Sequence, residues 1–174
     1  MTGTWRPMTE TDLDALIAVA AVVHPGYPES RAVFAERLRL YPAGCRVGEA
    51  GGAVVGYAVM HPGRLGHPPA LDSLLGRVPG DSDCLYLHDV ALLPAARGSG
   101  LGAAVLEYAH RLAVREGFAW LALTSTPEAR GYWDAQAFTP CGEQPAELAS
   151  YGGGMTYMAR AVRPAPDEAA NETL

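Results

Sequence analysis

The spacing of apolar residues changes several times along the chain, and each change predicts the start of a new helix or strand. Leu13, Leu16, Ile17 and Ala20 recur at helical spacing and predict a first helix that ends near Val23. The same criterion, together with capping residues and glycine or proline stops, predicts three more helices. They begin at Ser30, extend over Leu101–Glu116, and run from Thr126 to about Ala137.

Strand-like segments precede and separate these helices. In chain order they are Thr4–Met8, Cys45–Glu49, Ala53–Met60, Cys84–Leu92, Phe118–Thr124, Thr139–Cys141 and Met155–Val162. Gly51 and Gly52 predict a hairpin between the second and third strands. Nearly every residue of the third strand is apolar, which is typical of a central strand. The chain length of 174 residues suits one domain with one core.

Two segments lack this periodicity. His61–Asp83 is rich in proline and glycine, and a loop of this length inside a domain is usually functional or flexible. We expect one short helical turn within it, at Leu71–Leu75. Residues 164–174 are dominated by small and acidic side chains and predict a disordered tail after a single domain at 1–163.

Composition excludes several classes of protein. The net charge is −6 without a basic run, which disfavours nucleic-acid binding. No apolar run reaches transmembrane length and the first residues do not resemble a signal peptide, so we expect a cytoplasmic protein without a membrane partner. Cys45, Cys84 and Cys141 are far apart, which argues against a disulfide framework or a metal site.

A glycine-rich stretch between a strand and a helix carries the strongest chemical signal. Arg97-Gly98-Ser99-Gly100-Leu101-Gly102 follows the strand Cys84–Leu92 and leads into the helix Leu101–Glu116. Glycines let backbone amides approach a ligand closely, and a helix N-terminus adds unpaired N–H groups and partial positive charge. The stretch therefore predicts a site for a phosphate-bearing ligand.

Three kinds of phosphate loop compete for this stretch. A P-loop requires a lysine, and the chain contains none. A dinucleotide fingerprint is matched literally by Gly98, Gly100 and Ala103, but Leu93–Arg97 separates it from the strand. The acidic residue expected after the next strand is also missing from Ala119–Ser125, so this interpretation is disfavoured.

The third kind is the spacing Arg97-x-x-Gly100-x-Gly102, which resembles the acetyl-coenzyme A loop of the GNAT superfamily of N-acetyltransferases. The resemblance covers residues 4–162. Arg6–Asp12 is similar to the usual opening of that superfamily, and His88–Pro94 to its fourth strand. Tyr132–Phe138 is similar to its (Tyr/Trp)-x-x-x-Gly-Phe helix ending, with Ala137 where glycine is usual.

The resemblance implies an α/β (α+β) GNAT fold. Its mixed, largely antiparallel seven-stranded sheet would be flanked by about four helices and splayed between the fourth and fifth strands. Acetyl-coenzyme A would enter this gap as the acyl donor, without a metal. The residues implied in cofactor binding are Val90, Ala91, Leu92, Arg97, Gly98, Ser99, Gly100, Leu101, Gly102, Ala103 and Trp133. The amides of Gly98–Ala103 would hold the pyrophosphate, and a bulged fourth strand would pair with pantetheine.

The catalytic positions of the superfamily match this sequence less closely than its cofactor loop does. Relatives often use a tyrosine to protonate the thiolate, but the matching position is Trp133, so the acid candidate is the neighbouring Tyr132. The candidates for the base are Asp89 and His88, which strand alternation would direct to opposite faces. His24, Tyr27, His61 and His67 lie in predicted loops that are expected to rim the acceptor pocket.

The resemblance to the GNAT superfamily thus implies that the protein is an acyltransferase. The acceptor would be a primary amine on a small molecule or peptide, which attacks the thioester directly in a ternary complex because no residue stands out as a covalent nucleophile. The enzyme would be a monomer or homodimer. The alternative is an acyl-CoA-binding sensor or partner module with weak catalysis, which the tryptophan at 133 and the absence of an acid in Phe118–Thr124 keep open.

Overall fold

A computed structural model describes residues 2–162 of the chain. Its strands are β1 Gly3–Pro7, β2 Cys45–Ala50, β3 Ala53–Gly63, β4 Cys84–Leu92, β5 Trp120–Ser125, β6 Thr139–Pro140 and β7 Thr156–Ala161. Its α-helices are α1 Leu13–Val23, α2 Arg31–Leu40, α3 Leu101–Glu116 and α4 Arg130–Ala135. Short 3₁₀ turns lie at Glu10–Asp12, Pro42–Gly44, Pro94–Ala96 and Ala146–Tyr151.

The seven strands form one sheet in the order β1-β2-β3-β4-β5-β7-β6. All neighbours pair antiparallel except β4 and β5, which are parallel. The mixed, largely antiparallel sheet expected from the sequence is therefore confirmed. The apolar β3 lies between β2 and β4, as predicted for a central strand.

The helices cover both faces of this sheet. One core cluster joins α1 and α2 to β2 and β3, with Leu16, Phe34 and Tyr57 among its buried side chains. A second cluster joins α3 to the opposite face through Leu112 and its neighbours. Because burial of these apolar faces drives folding, the sheet is fixed from both sides and its strand ends are held in place.

Two irregularities in β4 shape the centre of the molecule. Asp89 pairs with Val59 and Leu87 with the next residue, Met60, so His88 is the extra residue of a β-bulge. Pairing of β4 with β5 runs only from Cys84 to Leu87. Beyond Leu87 the two strands diverge, which confirms the predicted splay and leaves one edge of β4 without a strand partner.

Several sequence-based boundaries were wrong. The predicted helix from Thr126 starts only at Arg130, because the Thr126 hydroxyl accepts a hydrogen bond from the Ala129 N–H at 3.2 Å and holds a turn there. Leu71–Leu75 forms no helical turn in the described structure. Strand β3 continues to Gly63, which pairs with Cys84, so the loop is shorter than predicted.

The predicted disordered tail, 164–174, lies outside the described residues. Among residues 2–162, none of the helices combines the length and the apolar character needed to cross a membrane.

Candidate active site

The glycine-rich stretch forms a loop whose amides face outward at the start of α3. Gly98 and Gly100 have φ of +76° and +88°, a left-handed conformation that glycine adopts without strain. Gly100 is the residue that precedes the first turn of the helix. Its carbonyl accepts the Ala104 N–H at 3.0 Å. The preceding amides of the first turn have no intrahelical acceptor, so they are available to an anion.

This loop lies at one end of a cleft of about 1190 Å³. We call this the glycine-loop end; the residues that line it are Arg97, Gly98, Gly100, Gly102 and Ala103. Two predicted cofactor residues do not line the cleft. The Ser99 hydroxyl donates to the Ala96 carbonyl at 2.6 Å, which braces the loop from within. The Leu101 side chain is buried in the core, so only its amide can serve a ligand.

The free edge of β4 forms the floor of the cleft next to this loop. Val90, Ala91 and Leu92, three of the residues predicted to bind the cofactor, all line it. The Leu93 N–H donates to the Val55 carbonyl of β3 at 2.8 Å. Since peptide groups alternate along a strand, the Val90 and Leu92 amides point to the opposite edge, where β5 has diverged. The Ala91 peptide instead faces β3, so its backbone offers nothing to the cleft.

The two aromatic residues of α4 differ in environment. Trp133 is 9 % exposed and packs edge-on against Phe138 in the core, although it also borders the cleft. Tyr132 is 46 % exposed and lines the same wall. A Cβ on Gly102 would lie 3.2 Å from the Tyr132 hydroxyl, so the phenol reaches across to the first turn of α3. Partial burial raises the pKa of Tyr132 above its ordinary value.

The other end of the cleft is built around Asp89, and we call it the carboxylate end. The Tyr57 hydroxyl donates to Asp89 Oδ2 at 2.6 Å. His24 Nε2 lies 3.1 Å from Asp89 Oδ1. His24, Tyr27 and Asp89 line the cleft, and Tyr151 closes it from the segment before β7. The carboxylate is therefore held from both sides and opens towards the cleft.

His88 forms a second histidine–carboxylate pair. Its Nε2 lies 2.7 Å from Glu29 Oε1, and its side chain is fully buried. His24 and Glu29 belong to the same loop between α1 and α2. His88 and Asp89 therefore point to the same side, contrary to the expectation from strict alternation, because the bulge at His88 interrupts the alternation.

The remaining predicted rim residues separate into two groups. His24 and Tyr27 line the cleft, whereas His61 and His67 do not. His61 lies within β3, is 2 % exposed, and stacks near His88 with a ring-centre distance of 5.8 Å. Burial, with the charge of His88, lowers the pKa of His61 to about 3. His67 is exposed on the loop after β3.

Sequence reasoning missed the residues that assemble this end. Glu29 binds His88 through one oxygen and accepts the Asp72 N–H at 3.1 Å through the other. Arg37 is fully buried, contacts Glu36 at 2.7 Å, and donates to the Ser73 carbonyl at 3.0 Å. These contacts fasten the loop after β3 onto α2. The only sequence signal was charge within an otherwise apolar helix.

The pKa values at this end reflect burial and the carboxylates. Burial lowers the pKa of His24, but Asp89 and then Glu29 outweigh it, so the net pKa lies above 6.5. Burial and the charge of Asp89 raise the pKa of Tyr57 well above 10, which keeps its phenol as a donor. Burial also raises the pKa of Tyr151.

A smaller cavity of about 280 Å³ adjoins the carboxylate end. Its walls come from α1, from the loop between α1 and α2, and from Phe34 of α2. It shares His24, Tyr27 and Asp89 with the main cleft. Among residues 2–162, no three His, Cys, Asp or Glu side chains are grouped to hold a metal ion.

Comparison with solved structures places this fold among GNAT proteins. Ard1 from Thermoplasma volcanium is 17 % identical, with a TM-score of 0.73 over 94 % of this chain and 99 % of that one. The GphF GNAT-like decarboxylase in complex with isobutyryl-CoA is 22 % identical, with a TM-score of 0.68 over 92 % of this chain and 100 % of that one.

A third neighbour is part of a longer protein. N-acetylglutamate synthase from Neisseria gonorrhoeae, complexed with coenzyme A and N-acetylglutamate, is 17 % identical, with a TM-score of 0.66 over 94 % of this chain and 36 % of that one. These identities establish the fold alone.

Comparison of the sequence with family models identifies the family as well as the fold. No curated protein sequence matches the chain. Residues 10–138, however, match the family model described as the acetyltransferase (GNAT) family. This match spans α1, the glycine-rich loop, α4 and the residues that follow it up to Phe138. The chain belongs to the GNAT family of acetyltransferases.

Proposed function

We propose that the protein transfers an acetyl or other small acyl group from a coenzyme A thioester to a primary amine. The observation that carries this proposal is the single cleft that runs from the outward-facing amides of the glycine loop, along the free edge of β4, to the carboxylate of Asp89. One end suits a pyrophosphate, the middle suits an extended amide-bearing arm, and the other end suits an amine.

The donor is assigned from chemistry at the glycine-loop end. The amides from Gly98 to Ala103 hold the pyrophosphate, and Arg97 adds positive charge beside it. Pantetheine pairs with the free Val90 peptide groups and the Leu92 carbonyl as an added strand, which leaves the Leu92 N–H to the thioester. Coenzyme A ligands in the GphF and N-acetylglutamate synthase structures support the same donor here.

The acyl transfer is direct. The amine nitrogen attacks the thioester carbon, the Leu92 N–H stabilises the oxyanion, and the carbon–sulfur bond then breaks. A covalent cysteine intermediate is disfavoured, because burial raises the pKa of both Cys45 and Cys84 to about 12. Asp89 organises removal of the amine proton. His88 is fully buried against Glu29 and serves to position the loop between α1 and α2.

Tyr132 is the acid in this scheme. Its phenol lies in the cleft beside Gly102, and its raised pKa keeps it protonated at neutral pH. It donates this proton to the departing thiolate of coenzyme A. Trp133, at the position where relatives often have tyrosine, carries no transferable phenol proton and instead anchors the wall of the cleft.

A steady-state assay tests the proposal. Purified protein is mixed with acetyl-CoA and a panel of small amines and N-terminal peptides, and release of free thiol is followed. We expect amine-dependent release that falls in Tyr132→Phe. Tyr108→Phe is the control, because Tyr108 does not line the cleft and its hydroxyl donates to the Ala43 carbonyl. Tight coenzyme A binding without thiol release from any amine would instead favour the acyl-CoA-binding module that the buried Trp133 keeps open.

A further inference from the structure

His24 is fixed by the end of α1. Its backbone N–H donates to the Ala20 carbonyl at 2.8 Å, and its own carbonyl accepts the Tyr27 N–H at 3.0 Å. The side chain is 26 % exposed and lines the main cleft. The backbone of His24 therefore has a defined position, while about a quarter of the side-chain surface remains accessible from the cleft.

Asp89 is held against this ring by a third residue. The Tyr57 hydroxyl occupies Oδ2 at 2.6 Å, while Oδ1 faces His24 Nε2 at 3.1 Å. Tyr57 is fully buried, so its direction is fixed by the core. The carboxylate consequently selects the tautomer with hydrogen on Nε2, which leaves the lone pair of neutral His24 on Nδ1.

The other histidine–carboxylate pair, His88 with Glu29, is less exposed to the cleft. The His88 side chain has no exposed surface, and its Nδ1 is buried without a partner among the described residues. His88 also borders the cleft, but its ring has no exposed surface and its Nδ1 is enclosed, so a substrate in the cleft can reach the ring of His24 and not that of His88. Asp89 itself is only 14 % exposed and has both oxygens engaged.

We propose that His24 is the group that takes the proton from the attacking amine, with Asp89 and Tyr57 as its positioning residues. This assignment rests on the proposed amine acylation. It makes a residue of the loop between α1 and α2 catalytic and gives Asp89 an orienting role behind it. The arrangement follows the logic of a carboxylate-oriented histidine base.

Each proton that moves in this step has a donor and an acceptor. As the nitrogen–carbon bond forms, the amine N–H proton passes to His24 Nδ1. When the carbon–sulfur bond breaks, the thiolate takes the phenol proton of Tyr132. The imidazolium then releases its proton to water and Tyr132 regains one from water. Throughout the step Nε2–H stays on the Asp89 side.

The charged groups around His24 set the pH range in which it can act as the base. Asp89 faces it from β4, Glu29 from its own loop, and Arg97 from the glycine loop. Burial lowers the pKa of His24, the two carboxylates raise it, and Arg97 lowers it, with a net rise above 6.5. Because the base must be neutral, kcat/KM rises with pH through this raised pKa.

The test compares the pH profile of wild type with that of His24→Gln, using acetyl-CoA and the most active amine of the panel. Glutamine can still donate to Asp89 but cannot accept a proton in the step. We expect kcat to fall by about 10²-fold or more and the ascending limb at the His24 pKa to disappear, leaving only the limb set by ionisation of the amine itself, with coenzyme A affinity unchanged. His67→Gln, on an exposed loop outside the cleft, is the matched control and keeps the wild-type profile.

An NMR titration of the His24 ring gives a readout that does not depend on the acceptor. We expect a pKa above 6.5 in wild type that decreases in Asp89→Asn. A wild-type enzyme that acetylates amines while His24→Gln keeps its rate and its limb would overturn the His24 assignment alone, as would a His24 pKa insensitive to Asp89→Asn. A wild-type protein that acetylates no amine would overturn the proposed function together with this role.

Discussion

The two ends of the cleft are built from different parts of the polypeptide. At the glycine-loop end, the groups that we propose to bind the donor are backbone amides of one continuous stretch, Gly98–Ala103, beside the edge of β4. At the carboxylate end, they are side chains paired across separate segments, such as His24 with Asp89 and Glu29 with His88. A backbone site tolerates most side-chain changes but not a change of φ, whereas a side-chain site depends on each partner. Mutations should therefore separate binding of the donor from transfer to the acceptor.

The largest effect is expected at the carboxylate end. Asp89→Asn removes the charge that orients His24, so kcat/KM for the amine should fall by about 10²–10⁴-fold, with little change in the KM for acetyl-CoA. Steady-state kinetics at saturating acetyl-CoA measure this directly. Asp14→Asn is the control, because its side chain is 87 % exposed and pairs only with the surface residue Arg31. An equal loss in both variants would contradict the account.

The next effect concerns the stability of the same end. Arg37→Met leaves the carboxylate of Glu36 without its cation and frees the loop at Ser73, so unfolding should become easier by about 3–5 kcal/mol. Urea denaturation measures the change. Arg111→Met removes an exposed pair with Glu107 and should cost less than about 1 kcal/mol. A loss as small as that of the control would mean that the buried pair does not hold the loop.

At the glycine-loop end, the backbone is the sensitive feature. Gly100→Val forces a branched side chain into φ +88° and should cost about 1–2 kcal/mol of stability, or tilt the amides out of position. We expect coenzyme A to bind about tenfold more weakly, as measured by calorimetry. Gly80→Val, at an open position with ordinary φ, provides the control. Unchanged coenzyme A affinity in Gly100→Val would argue against a backbone cradle.

The smallest effect tests a departure from the family pattern. Ala137 stands where relatives usually have glycine, and its φ of +63° is unfavourable for a residue with a Cβ. Ala137→Gly should therefore raise the free energy of unfolding by about 0.5–1 kcal/mol without changing the rate. Ala104→Gly, on the exposed face of α3, should lower it by a similar amount. A destabilised Ala137→Gly would mean that the side chain contributes packing that exceeds the strain.

The contrast between the two ends also explains what the sequence could predict. The bounds of β4 and α3 matched their predictions, because apolar spacing and glycine positions are local signals. The loop between them could likewise be predicted as a candidate phosphate site, since the site that we propose there is built from adjacent residues. The pairing of Glu29 with His88 joins residues 59 positions apart, and no local pattern encodes such a contact.

The orientation of His88 and Asp89 shows the same limit of prediction from sequence. Alternation along β4 predicted opposite faces for His88 and Asp89, but the bulge at His88 turns both towards the loop between α1 and α2. A bulge depends on how two strands pair, and Val59 and Met60 of β3 set that register. His24 was thus considered only as a rim residue, although the folded chain brings it against the carboxylate.

Fold similarity leaves the reaction itself to be tested, since one structural neighbour is a GNAT-like decarboxylase. The most direct measurement is mass spectrometry of products after a single turnover with acetyl-CoA and the active amine. We expect that the amine gains one acetyl group, that free coenzyme A appears in equal amount, and that the protein stays unmodified. Release of coenzyme A with acetate alone, or an acetyl group retained on the protein, would contradict it.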